Sequence, residues 1–180
     1  MSMAIRAKRW TLDEVHRLPD DGNKYELLRG DLFLTPPPSE THETILARLS
    51  RILVPFVAEQ RLGMVYHPRA VLRHEGSEVE PDLMVRGSNP GDDWDSAPTP
   101  ILVVEVLSDS TRRRDHVQKR KFYLEASVPE YWIVDPDHET VRVVTPDAAD
   151  VVVTNELMWS PGGVTRPLLI SLSEVFSEMR

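Results

Sequence analysis

An almost unbroken apolar run, Ile101-Leu102-Val103-Val104-Glu105-Val106-Leu107, predicts a β-strand in the middle of the chain. Strands that are covered on both faces carry apolar residues at nearly every position, so we expect both faces of this strand to be packed. Glu105 lies near the centre of the run, where an unpaired carboxylate would be costly. We therefore expect Glu105 to be paired, protonated or bound to a cation. A structural ion pair is the simplest of these alternatives.

A second carboxylate lies on the preceding predicted strand. The segment Glu80-Pro81-Asp82-Leu83-Met84-Val85 places Asp82 directly after a proline, which is tolerated at the first residue of a strand. If the strands 79–85 and 101–107 are neighbours, Asp82 and Glu105 lie close together and their like charges require a cation. Magnesium suits such a site, since it takes one or two carboxylates, water and substrate phosphate. Asp82 by itself is equally consistent with a carboxylate at the end of a strand.

A helix is predicted over residues 112–126. Asp115, Lys119 and Tyr123 recur at four-residue spacing and share one face of that helix, and we interpret Val117 as part of its packed side. Lys119 can then reach back towards the two carboxylates. An ammonium there could offset negative charge on a bound phosphate or act as a base. The alternative is a surface ion pair between Asp115 and Lys119.

The remaining elements follow from local patterns of apolar residues, caps and turns. They are a helix that starts at the capping box Thr11-Leu12-Asp13-Glu14 and ends before Pro19, two short strands between Tyr25 and Leu34, a helix over 42–59 that Pro55 kinks or ends early, strands over 64–72 and 131–134, a surface loop over 86–100, a hairpin of 141–144 with 151–154, and a strand and helical turn within 170–179.

Composition restricts the class of protein. The chain has 180 residues, of which 41% are hydrophobic and 28% charged, and this suits one globular domain over residues 1–180. The absence of cysteine excludes disulfides, thiolate-bound zinc, iron–sulfur clusters and cysteine nucleophiles. No segment has the roughly 20 apolar residues of a membrane helix, and the start of the chain has no apolar signal segment. We therefore expect a cytoplasmic protein with no membrane partner.

Charge is unevenly distributed along the chain. The net charge of −8 disfavours a protein that coats nucleic acid. Residues 112–121 nevertheless hold six of the 21 Lys and Arg residues and a single acid. This segment begins with Arg112-Arg113-Arg114, which is a candidate anion site. A solvated helix face is the alternative.

Taken together, the motifs resemble the PD-(D/E)XK superfamily of restriction-endonuclease-like nucleases. They are most similar to a large bacterial branch that was long catalogued as a domain of unknown function. The resemblance extends from about Tyr25 to Val143. The motifs that carry it are, in order, Tyr25-Glu26-Leu27 with Gly30-Asp31, His42 at the start of the first long helix, Pro81-Asp82, Glu105-Val106-Leu107-Ser108, Asp115…Lys119…Tyr123 and Val128-Pro129-Glu130-Tyr131-Trp132.

The resemblance implies roles for individual residues. In the superfamily, an aspartate and the acid of the (D/E)XK element hold a divalent metal and a lysine assists catalysis. By position, the metal ligands for Mg²⁺ or Mn²⁺ are Asp82 and Glu105. Leu107 stands where the lysine is usually found, and Lys119 on the following helix is the matching residue, with Lys121 as the spare candidate.

The same resemblance adds Glu26 and His42 to the expected catalytic residues. It implies an α/β fold with a restriction-endonuclease-like core. In this fold a mixed central sheet has helix 42–59 on one side and helix 112–126 on the other, and is extended by the N-terminal strands and the C-terminal hairpin.

The implied activity is metal-dependent hydrolysis of phosphodiester bonds in nucleic acid, with DNA as the expected substrate. Arg112, Arg113 and Arg114 would contact the phosphate backbone, and the resemblance also implies a homodimer. The displaced lysine and the acidic net charge favour one alternative, an inactive relative that binds nucleic acid or a protein partner without cutting.

Overall fold

The computed structural model describes residues 8–88, 93–108, 112 and 114–177. Within them the strands are β1 (Lys24–Leu28), β2 (Asp31–Thr35), β3 (Met64–Tyr66), β4 (Leu72–His74), β5 (Ser77–Val79), β6 (Leu83–Arg86), β7 (Leu102–Val106), β8 (Tyr131–Asp135), β9 (Thr140–Val144), β10 (Val151–Val153), β11 (Glu156–Trp159) and β12 (Leu168–Ser171). The helices are α1 (Leu12–Val15), α2 (Glu40–Glu59), α3 (Arg120–Glu125) and α4 (Leu172–Phe176), and a π-helical segment, Arg114–Lys119, runs directly into α3. No helix in the described part of the chain is long and apolar enough to cross a membrane.

Six strands form the central sheet, in the order β10-β9-β8-β7-β6-β3. β7 and β8 are parallel, whereas the other neighbouring strands are antiparallel. The mixed central sheet is therefore confirmed. β7 is the strand predicted from the apolar run, and it lies inside the sheet between β6 and β8 with all its residues buried.

Helices cover both faces of this sheet. On one face, Leu49 and Leu53 of α2 belong to the same core cluster as Val104 of β7. On the other face, Val103 belongs to a second cluster that contains Phe122 of α3. Successive residues of a strand point to opposite faces, so the apolar run of β7 fills both cores.

The helix α2 continues to Glu59, and the prediction that Pro55 could end it early is wrong. Ser39 caps the start of the helix, and its hydroxyl accepts a hydrogen bond of 3.2 Å from the backbone N–H of His42. Beyond the proline, Phe56 is still buried in the core. Burial of this side chain offsets the backbone hydrogen bond that proline cannot donate.

The N-terminal strands form a second sheet, so the prediction that they extend the central sheet is wrong. The order of the second sheet is β2-β1-β5-β4, and all its pairs are antiparallel. The predicted strand 79–85 is divided between the sheets, with β5 in the second and β6 in the central one. Pro81 lies at the break, because a residue without an N–H cannot continue a ladder of hydrogen bonds. The predicted strand 64–72 is divided in the same way into β3 and β4.

The predicted helix 112–126 is not a regular α-helix. Its first part is the π-helical segment Arg114–Lys119, in which backbone bonds span five residues instead of four. This changes which side chains face the sheet, and Val117, predicted to be packed, is 61% exposed. Arg113 lies outside the described residues.

At the C-terminal end, β9 and β10 form the predicted hairpin at the edge of the central sheet. β11 and β12 pair with each other in a small sheet of their own. Trp159 of β11 contacts Trp132 of β8, with 5.9 Å between the ring centroids. The C-terminal strands are thereby packed against the central core.

Candidate active site

Two buried carboxylates lie opposite each other on neighbouring strands. Leu83 of β6 pairs with Val104 of β7 in an antiparallel register. Asp82, one residue before Leu83, therefore faces Glu105, one residue after Val104, on the same side of the sheet. Both residues line a cleft of about 720 Å³. The structure thus brings the two predicted metal ligands together.

Asp82 is held by three groups from different parts of the chain. The backbone N–H of Val106 donates a hydrogen bond of 2.8 Å to Oδ2, and His42 Nε2 lies 3.1 Å from the same oxygen. The ammonium of Lys24 lies 3.5 Å from Oδ1. Burial favours the neutral acid, but Lys24 and His42 outweigh it and hold the pKa of Asp82 well below its usual range. Asp82 is therefore ionised at neutral pH.

Glu105 is buried and has a different environment. Lys119 donates a hydrogen bond of 2.7 Å to Oε1, and the hydroxyl of Tyr123 donates one of 2.5 Å to the same oxygen. Burial raises the pKa of Glu105, Lys119 opposes that shift, and the charge of Asp82 adds to it. The two carboxylates of the site are therefore tuned apart, with Asp82 the stronger acid.

Lys119 lies at the centre of a group of acids. Its ammonium is 2.8 Å from Glu26 Oε1 and 2.7 Å from Glu105 Oε1, and it is also 3.8 Å from Asp115 Oδ1. The residue is completely buried. Burial disfavours the ammonium, yet Glu105 and Glu26 hold the pKa of Lys119 above its usual range. By contrast, the side chain of Lys121 is 61% exposed and lies 3.9 Å from Glu125.

Glu26 joins the second sheet to this site. It is fully buried on β1 and accepts a hydrogen bond of 3.0 Å from the backbone N–H of Glu80. Its other oxygen lies 3.2 Å from the guanidinium of Arg114, which also donates a hydrogen bond of 3.0 Å to the hydroxyl of Thr35. Burial raises the pKa of Glu26, but the charges of Lys119, Lys24 and Arg114 together outweigh it, so the pKa is lowered.

His42 reaches Asp82 from the first turn of α2. Ser39 caps the helix on the backbone N–H of His42, which fixes the point at which this side chain enters the cleft. Burial lowers the pKa of His42, but the hydrogen bond with Asp82 and the negative charges of Asp82 and Glu43 together outweigh it, so the pKa is raised. His42 therefore carries more positive charge near neutral pH than a free histidine.

The described arginines of the predicted basic cluster do not share one surface. Arg112 pairs with Asp135 at 2.6 Å and with Asp137. Arg114 points inwards to Glu26 and lines the cleft. Arg113 lies outside the described residues. The basic run is therefore spread over two environments, because the π-helical segment directs Arg114 to the interior.

Sequence reasoning missed Lys24 and the contact of Tyr123 with Glu105. Lys24 lies two residues before Glu26 on β1, and residues at this spacing share one face of a strand. That alternation was the available signal. Tyr123 was recognised as sharing a face with Lys119, and the structure shows that both side chains end on the same oxygen of Glu105.

The residues at the cleft fit a divalent metal. Asp82 and Glu105 both line the cleft, and Asp82 is ionised, as a metal ligand must be. In the part of the chain that the structure describes, no three His, Asp or Glu side chains group as metal ligands. Magnesium does not require such a group, because it is bound by one or two carboxylates and keeps several waters. Asp82 and Glu105 are the residues that would hold it.

Comparison with known proteins agrees with this fold. The crystal structure of a protein from Anabaena variabilis, described as a "putative nuclease belonging to DUF820", superposes with a TM-score of 0.79 at 21% sequence identity. The match covers 93% of this chain and 98% of that chain. No curated protein matches the chain. The model of the Uma2 family, described as "Putative restriction endonuclease", matches residues 12–173. The resemblance to restriction-endonuclease-like nucleases is confirmed, and the chain belongs to the Uma2 family.

Proposed function

We propose that the protein is a divalent-metal-dependent endonuclease that hydrolyses phosphodiester bonds of DNA. One observation carries this proposal. Asp82 and Glu105 are buried carboxylates that face each other on neighbouring strands and open onto the same cleft, in a chain of a nuclease family. Buried acids in such a position are costly for the fold, and a function in metal binding explains why they are there.

In this proposal, Asp82 and Glu105 bind Mg²⁺ or Mn²⁺. The bound ion would activate water and polarise the phosphate that is attacked. His42 and the N–H of Val106 orient Asp82, since both contact its Oδ2. His42 also lines the cleft, where its side chain can meet the substrate.

Lys119 acts as a positioning residue in this proposal. It is fully buried and contacts Glu105 and Glu26. Lys119 therefore acts on the substrate indirectly, by orienting these two carboxylates. Glu26 fixes the other side of the ammonium. Arg114 is the member of the basic run that we propose as a contact for the phosphate backbone, because it lines the cleft. Arg112 is a second proposed contact at the rim of the cleft, because its partner Asp137 also lines the cleft.

We propose that the chain acts as one domain and as a homodimer in the cytoplasm, where DNA is available. The single domain is supported by a core cluster that runs from Ile45 to Phe176 and contains buried residues of β6, β7, β8 and β9, with Val65 of β3 and Val153 of β10 packed against it. The homodimer is supported by the edge strand β10, on which Val151 and Val152 are exposed. Apolar edge strands favour pairing with a second chain. Light scattering on the purified protein tests this.

The test of the proposed function is cleavage of supercoiled plasmid with Mg²⁺ or Mn²⁺. We expect nicking by the wild type and none by Asp82→Ala, whereas Lys121→Met, an exposed lysine outside the cleft, should cut normally. Mn²⁺ should raise the melting temperature of the wild type and not that of Asp82→Ala. A wild type that binds DNA without cutting it under any of these conditions would contradict the proposal. The inactive relative would then be the better description.

A further inference from the structure

Two lysines contact the acids of the site, and they are held in different ways. Lys119 makes two contacts of 2.7 and 2.8 Å and is completely buried. Lys24 lies 3.5 Å from Asp82 Oδ1 and 3.8 Å from Glu26 Oε1. Distances of that size are ionic contacts rather than hydrogen bonds. Lys119 is therefore fixed in place, whereas Lys24 is held mainly by charge.

Lys24 also has a way out of its position. Its side chain is 18% exposed and lines the cleft together with Asp82. A lysine ammonium sits on a flexible four-carbon chain and exchanges partners readily. Lys119 cannot move towards the cleft in this way, because Glu26, Glu105 and Asp115 enclose its ammonium.

Lys24 contacts the same carboxylate, Asp82, that would hold a metal ion. A divalent ion on Asp82 would lie a few ångströms from this ammonium, and the two positive charges would repel each other. This repulsion would favour movement of the flexible ammonium away from Asp82. The ammonium can then turn towards the open side of the cleft. In a nuclease, the anionic group that enters the cleft is a phosphodiester.

We propose that Lys24 is a displaceable counter-ion. In the metal-free protein it neutralises Asp82, and on metal binding it turns into the cleft and binds a phosphate of the nucleic-acid backbone. This inference rests on the proposed function and names Lys24 as a substrate-binding residue that limits metal affinity until substrate arrives. It follows that metal and nucleic acid bind cooperatively, since the phosphate receives the cation that the metal displaces.

The test compares the metal affinity of lysine variants by titration calorimetry with Mn²⁺. Lys24→Met and Lys24→Gln remove the charge, Lys24→Arg keeps it, and Lys121→Met is the matched control for loss of a lysine charge elsewhere. Circular dichroism and melting curves establish that each variant is folded. DNA binding is measured in Mn²⁺ at several salt concentrations, by fluorescence anisotropy of a short phosphorothioate duplex that resists cleavage.

We expect the two neutral variants to bind Mn²⁺ roughly tenfold more tightly than the wild type, because the repulsion is gone. In the same variants the slope of log affinity for DNA against log salt should fall by about one, the loss of one phosphate contact. Lys24→Arg and Lys121→Met should bind Mn²⁺ like the wild type. If both neutral variants bind Mn²⁺ no more tightly, or keep the full salt slope, the inference on Lys24 is overturned while the metal site stands. If the wild type binds no Mn²⁺, the proposed function itself fails.

Discussion

Replacing Lys119 by methionine should destabilise the protein strongly, in contrast to the small effect that a surface lysine would have. In the structure its ammonium is the common partner of Glu26 and Glu105 and is completely buried. Removing one member of a buried ion pair leaves an uncompensated charge and costs about 3–5 kcal/mol. For a chain of this length, that corresponds to a decrease in melting temperature of roughly 10 °C.

The measurement is urea unfolding followed by circular dichroism. The control is Lys121→Met, which removes an exposed lysine and should change the unfolding free energy by less than about 0.5 kcal/mol. The double variant Lys119→Met with Glu105→Gln should recover part of the loss, because it removes one of the orphaned charges.

The pH dependence provides an independent check. Without Lys119, the folded-state pKa of Glu105, which burial already raises, should rise further, and that of Glu26 should rise as well, because each loses the largest of the positive charges that oppose burial. The folded state gains protons relative to the unfolded state as the pH falls, so the destabilisation should be smaller at pH 5 than at pH 8. A Lys119→Met protein as stable as the wild type at both pH values would refute the reasoning, and so would a loss that does not depend on pH.

Two further outcomes concern the scaffold. Gly63 has φ of +116°, and a Cβ there would lie 2.1 Å from the carbonyl oxygen of Arg86. Gly63→Ala should therefore lower the unfolding free energy, measured by urea unfolding, by about 1–3 kcal/mol. An unchanged midpoint of unfolding would contradict this. Asp135 is partly buried, which favours the neutral acid, but Arg112 and His138 lower its pKa. Its contribution to stability is present above its unfolded pKa and is lost as the pH falls through the lower folded value. Asp135→Asn should therefore flatten the fall in stability measured between pH 5 and pH 3, and an equally steep fall would show that the carboxylate makes no such contribution.

The acids of the site were predictable because their sequence surroundings are distinctive. Glu105 interrupts an apolar run, and Asp82 follows a proline at the start of another, so both were recognisable as carboxylates in costly positions. Placing the two acids side by side required only the assumption that their strands are neighbours in the sheet. Lys119 was identified from the order of the motifs, and its burial among three acids could not be derived from a spacing that also suits a surface ion pair.

The features that sequence reasoning missed depend on long-range contacts. In the second sheet, a single residue pair, Leu27 with Glu78, joins the β1–β2 pair of strands to the β4–β5 pair. No local pattern in the sequence indicates this pairing. The inward direction of Arg114 follows from a π-helical segment, which has no sequence signature comparable to a cap or a turn. An α-helical spacing therefore assigned Val117 to the wrong side.

The burial of Lys119 among acids has a consequence for synthesis of the chain on the ribosome. Glu26, Asp82 and Glu105 all precede Lys119 in the sequence, so the acids emerge before the residue that neutralises most of them. Lys24 and His42 are already available to Asp82 at that stage, but closing β7 into the core before Lys119 leaves the exit tunnel would bury Glu105 without its cation. We therefore expect β7 to close into the core only after the π-helical segment has been made. Vectorial synthesis delays the collapse of the core.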